Sequence, residues 1–141
     1  MKQIKYLLFL AFLAGMFGCQ KNGKRCNELI GVINQGVEIK NKYEKQGPVK
    51  DPKQYLAMAQ DWEKLKEKIG SVSLKDDQLK GLSKEYQELL GDYVRILRDA
   101  ARVVESKDEA AAQKVRAELK TVTEERQAQL TNKINAYCSS K

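Results

Sequence analysis

From residue 26 onward, apolar positions return every three or four residues with polar ones between them, the pattern of amphipathic helices. Between Cys26 and about Lys45 the apolar set is Cys26, Leu29, Ile30, Ile33 and Val37, with a second row at Val32, Ile39 and Tyr43. Two rows on one helix predict a broad buried face. Gly31 and Gly36 either weaken this helix locally or permit close packing. The stretch QGPVKDP then breaks the chain.

Asp51-Pro52-Lys53-Gln54 carries the marks of a helix start: a capping carboxylate, proline in the first turn, and glutamine three residues past the cap. The stripe that follows is Tyr55, Met58 or Ala59, Trp62, Leu65 and Ile69, and Gly70 ends it. A third helix, capped by Ser73 or Asp76, runs to about Glu105. Its seam is nearly heptad: Leu79, Leu82, Tyr86, Leu89, Tyr93, Ile96, Ala100 and Val103. Gly81 and Gly91 fall inside it, which allows a kink or a short preceding turn near Gly81. Ser106-Lys107-Asp108-Glu109 reads as a capping box for a fourth helix ending near Cys138. Ala111, Val115, Leu119, Val122, Leu130 and Ile134 form its stripe, which Arg126 interrupts.

Short links between consecutive helices favour antiparallel neighbours. The expected fold is therefore all-α: an antiparallel up-down-up-down four-helix bundle with a longer helix 3–helix 4 hairpin. Helices 3 and 4, at about 30 residues against about 18–20 for helices 1 and 2, should overhang by about 16 Å. That overhang, roughly Arg95 to Ala117, is either a contact surface for a partner or a plain two-helix coiled coil. In this topology the first helix starts, and the fourth ends, at the same end of the bundle. Stepping twelve residues along each helix from there brings Glu38 opposite Arg126. The two form an ion pair, or Arg126 lies at the rim with its stem buried and its head in water.

The first eighteen residues, MKQIKYLLFLAFLAGMFG, belong to a different pattern. Lys2 and Lys5 precede a twelve-residue apolar run, Tyr6 to Phe17, the plan of a secretory signal. The run is too short to cross a bilayer, which takes about 20 apolar residues. The residues MFGC, ending at Cys19, resemble the lipobox of bacterial lipoproteins. That resemblance implies diacylglycerol on the Cys19 thiol, cleavage just before it, and acylation of the new amine. It divides the chain into a signal peptide (1–18), a lipidated tether (19–25) and a helical bundle domain (26–141). Gln20, where an aspartate would retain the protein in the inner membrane, favours the outer membrane facing the periplasm. A soluble secreted product is the alternative.

Export implies an oxidising compartment, where paired thiols persist as disulfides. With Cys19 committed to lipid, Cys26 and Cys138 remain. Both lie at the end of the bundle that the topology makes common to helices 1 and 4, so an intramolecular disulfide is expected.

The formal net charge is +7. Residues 20–54 hold eight basic and four acidic residues, whereas residues 55–141 hold sixteen and fifteen. The excess thus sits near the tether and the first loop. Lys21, Lys24 and Arg25 lie within seven residues of Cys19, no more than about 25 Å of chain. They are either headgroup contacts, each adding up to roughly 1 kcal/mol on an anionic surface, or a solvated linker. Nucleic acid is not an expected partner, because no basic stripe interleaves with aromatics and the signal exports the chain.

Histidine is absent, and there is no Gly-x-Ser-x-Gly, no phosphate-cradling glycine loop and no metal-ligand spacing. The expectation is a non-enzymatic protein with no cofactor and no metal. It would be an envelope lipoprotein that contacts another envelope protein through the helix 3–4 hairpin. The alternative is a periplasmic small-ligand or chaperone-like binder with an aromatic groove at Tyr55, Trp62 and Tyr86.

Overall fold

The computed structural model describes residues 23–139, and these form helices joined by short links. Helix α1 spans Gly23–Glu44, α2 Pro52–Ser71 and α3 Asp77–Ser106. The fourth rod is composite: α4, Glu109–Lys120, passes through a π-helical turn, Thr121–Arg126, into α5, Gln127–Ser139. The chain is an all-α bundle with a longer third and fourth member, as the periodicity predicts.

Helix ends follow local chemistry. Asp51 caps α2 by accepting from the Lys53 amide at 2.9 Å, with Pro52 in the first turn where no amide is needed. Asp76, rather than Ser73, caps α3 by accepting from the Leu79 amide. Asp108, rather than Ser106, caps α4 by accepting from Ala111 at 3.0 Å. The expected box at Ser106 is displaced because α3 itself continues to Ser106, and Lys107 closes it in the left-handed region at φ 55°. Gly81 and Gly91 do not interrupt α3, so no separate turn forms there.

Helix α3 is the centre of the molecule because it carries two apolar faces. Leu82, Leu89 and Ile96 share the side of Glu85, Asp92 and Arg95, whose ion pairs reach the fourth rod. Leu90, Val94, Leu97 and Ala101 share the side of Gln87 and Arg98, which meet α2 at Gly70 and Glu63. All seven of these apolar residues are buried, so α3 is covered on two sides. The heptad seam accounts for the first face. The second, which the seam alone does not reveal, makes room for α2.

Helix α1 lies mainly on α2. The Trp62 ring tip lies only 3.0 Å from where a Cβ on Gly36 would be, so the missing side chain is what lets the helices approach. Gly31 has open space around it and no such role. Tyr43 and Lys42 both donate to Asp61 of α2, at 2.9 and 2.6 Å, locking the far end of the pair.

The register of α2 revises the expected overhang. Trp62 packs against Tyr93, and ten residues back along α2 is Pro52 while ten forward along α3 is Val103. Helix α2 therefore covers α3 almost to its end, and the free overhang past α2 is a few residues rather than about 16 Å. The reason is the link at residues 72–76, which is non-helical and sets the end of α2 about seven residues along α3 from its start.

Candidate functional site

Three places in the bundle carry the residues that the sequence marks out: the end holding both cysteines, the aromatic centre, and the outer face of the α3–α4 hairpin. Cys26 and Cys138 are bonded, with their Cα atoms 5.8 Å apart and 112 residues between them. Cys26 is fully enclosed by the core and Cys138 is half-buried. The bond fastens the first turns of α1 to the last turn of α5. Lys24 and Arg25 belong to α1, not to an irregular linker, because the helix already begins at Gly23. Arg25 pairs with Glu28 at 2.7 Å one turn on, so part of its charge is answered within the helix, while Lys24 is exposed. Cys19 and Lys21, with the signal and Gln20, lie outside the described residues.

At the same end, an open groove of about 680 Å³ runs between α3 and α5, lined by Gly81, Leu82, Glu85, Lys133, Ala136 and Tyr137. Glu85 and Lys133 bridge it at 2.9 Å.

The aromatic residues do not form a groove. Trp62 is 2% exposed and Tyr86 1%, and both belong to the core. The Trp62 and Tyr93 rings meet edge to face at 5.2 Å and 88°. Burial pushes the Tyr86 and Tyr93 phenols far above their ordinary range, as expected for hydroxyls shut away from water. Tyr55 is half-buried at the opposite end of α2, near Arg116. The expected Tyr55–Trp62–Tyr86 groove is thus corrected: the same stripe that looked like an aromatic platform is what packs α2 against α3. The space beside Trp62 and Tyr86 is a void of about 10 Å³, too small for an organic ligand.

The expected Glu38–Arg126 pair is also corrected. Arg126 donates instead to Asp92 of α3, at 2.6 Å. The cause is the π turn. The Gln127 amide bonds the Val122 carbonyl, five residues back rather than four, so the turn is wider than an α turn. In a regular helix the inward position after Val122 would be residue 126. Widening hands it to Gln127, which is buried, and rotates Arg126 outward toward α3. Glu38 is exposed on α1.

The α3–α4 hairpin bears a second open groove on its outer face, about 470 Å³, lined by Arg95, Ile96, Glu118, Thr121, Val122 and Arg126. Arg95 reaches across it to Glu118 at 2.9 Å and also pairs with Asp99. Among the described residues, Leu56 is the large apolar side chain that stands out at the surface, 43% exposed. No cluster of metal-ligating residues occurs among the described residues, and none of their helices is long and apolar enough to cross a membrane.

Sequence reasoning missed two features. Buried polar Thr123, Gln127 and Thr131 sit at four-residue spacing on the fourth rod, and their spacing was a readable signal hidden by their polarity. Asp61 is the second. Partial burial pushes its carboxyl up, but hydrogen bonds from Lys42 and Tyr43 outweigh this and hold it below the usual range. No protein-family model matches the chain, and no curated protein or solved structure matches it.

Proposed function

We propose that the chain is a lipid-anchored lipoprotein of the cell envelope. On this reading its disulfide-closed bundle is a non-enzymatic interaction module, presented from the outer membrane toward the periplasm. The observation that carries the reading is the position of the Cys26–Cys138 bond. An oxidised pair fits the exported compartment that the N-terminal signal implies. The bond also joins the start of α1 to the last turn of α5, at the end of the bundle where a tether from Cys19 would arrive. Load from such an anchor would pass into both α1 and α5 rather than peel α1 away.

The partner surface in this reading is the α3–α4 hairpin, at the opposite end from the tether. Its outer groove has the Arg95, Glu118 and Arg126 side chains at the rim and the buried Ile96 and Val122 at the floor, so a partner would be met there mainly through charge. The aromatic-groove alternative loses its support with the burial of Trp62 and Tyr86.

The test of the anchor is the intact mass of protein extracted from membranes, before and after reduction. A chain beginning at Cys19 with added acyl mass, gaining two hydrogens on reduction, is the expected result. An unmodified chain beginning elsewhere would remove the membrane from this reading. The contact surface is tested separately by charge reversal at Arg95 and Arg126. If every membrane-bound partner is retained at wild-type level, the hairpin is not the contact site.

A further inference from the structure

The centre of the bundle contains a buried donor with nothing to donate to. Trp62 Nε1 is enclosed and lacks a hydrogen-bond partner among the described residues. An indole nitrogen is a donor only, so no rotation of its proton can satisfy it elsewhere. Trp62 lines the 10 Å³ void together with Thr123 and Gln127 of the fourth rod, and Tyr86, Leu89, Leu90, Tyr93 and Val122 close the remainder. A space of about this volume holds one water when two to four polar groups surround it, and stays dry when they do not.

The polar groups here suit one water. The Thr123 hydroxyl donates its proton to the Leu119 carbonyl at 2.8 Å, so it faces any further neighbour as an acceptor. Gln127, 8% exposed, brings an amide oxygen with two acceptor sites. Tyr93, on the other wall, already directs its hydroxyl to Met58 Sδ at 3.9 Å. One donor and two acceptors are the complement of a water that accepts once and donates twice.

We propose that a single water molecule is a fixed component of the core, accepting from Trp62 Nε1 and donating to Thr123 Oγ1 and Gln127 Oε1. The π turn creates the site. It places Gln127 inward where a regular helix would place Arg126, so the water and the outward Arg126–Asp92 pair are two consequences of one widened turn. This explains polar residues at buried positions that a continuous α-helix would fill with leucine.

Trp62 is the only tryptophan, so the protein has one indole N–H resonance and needs no assignment by mutation. The experiment is nuclear magnetic resonance on the purified, disulfide-intact protein in detergent micelles, reading cross-peaks between that proton and water. The expected result is a water cross-peak with the sign of a molecule held longer than the protein tumbles. In Gln127→Leu and in the near-isosteric Thr123→Val the peak should fall at least several-fold while helix content is unchanged. Absence of the peak in the wild-type protein overturns the proposal, as does a cross-peak to the Gln127 side chain alone, which would mean direct bonding and a dry void. Full peak intensity in both variants overturns it too, because the water would then be held elsewhere.

Discussion

The two sides of α2 are held by different means. Toward α3, α2 buries Met58, Trp62, Leu65 and Ile69 against a helix that is itself apolar on that side, and packing continues along the whole of α2. Toward α1, the contact is smaller: Gly36 meets Trp62 and Leu65, Asp61 and Lys68 make polar links, Leu29 and Ile33 reach the shared core, and the covalent bond ties the start of α1 to α5 rather than to α2. The α2–α3 pair is a core, whereas α1 is a strap. A chain of this size can afford the strap because the disulfide limits how far α1 can leave in the unfolded ensemble.

The largest effect expected from this contrast is on the bond itself. Reduction, or Cys26→Ala with Cys138→Ala, opens a loop of 112 residues and should lower stability by about 4–5 kcal/mol. Denaturant titration of both forms measures this, and hydrogen exchange should show α1 amides losing protection before those of α2 and α3. A loss below about 1 kcal/mol, or uniform loss of protection, would mean that α1 is as well packed as the rest.

Substitutions at the two α1 glycines sharpen the comparison. Gly36→Ala places a methyl 3.0 Å from the Trp62 ring, whose far edge is confined, and should destabilise by about 1–2 kcal/mol. Gly31→Ala meets open space and should stabilise by about 0.5–1 kcal/mol through helix propensity. Thermal melts that move in the same direction for both would break the claim that α1 touches α2 through Gly36.

The polar clamp predicts a pH dependence. The Asp61 carboxyl titrates lower in the folded chain than in the unfolded one. Its stabilisation is therefore present above the unfolded value, near pH 4, and is lost as pH falls through the folded value. Asp61→Asn should flatten the acid limb of the stability curve in that window; an unchanged slope below about pH 4 would show that the clamp is not coupled to folding. The smallest effect belongs to the outer surface. Arg126→Ala removes an exposed pair with Asp92 and should cost less than about 1 kcal/mol by denaturant titration. A larger loss would indicate that Arg126 has a buried role, as its position in the stripe first suggested.

The pattern of apolar positions determined the helical class, the approximate helix lengths, the antiparallel order and the end of the bundle at which Cys26 and Cys138 meet. Those properties follow from local periodicity, turn chemistry and connectivity, which are written within a few residues of where they act. The pairing of the cysteines tolerates small errors of register, because an entire helix end is brought into reach. Tertiary structure alone decided the rest. The level of α2 along α3 depends on a five-residue link whose path packing selects, and it removed most of the expected overhang. One widened turn shifted the fourth rod's phase by a single residue, moving Arg126 from Glu38 to Asp92. The aromatic stripe reads the same whether it lines a groove or a core, and only the neighbouring helix α3 settled which. Phase and neighbours are sums over the whole chain, and a one-residue change in either exchanges an inward side chain for an outward one.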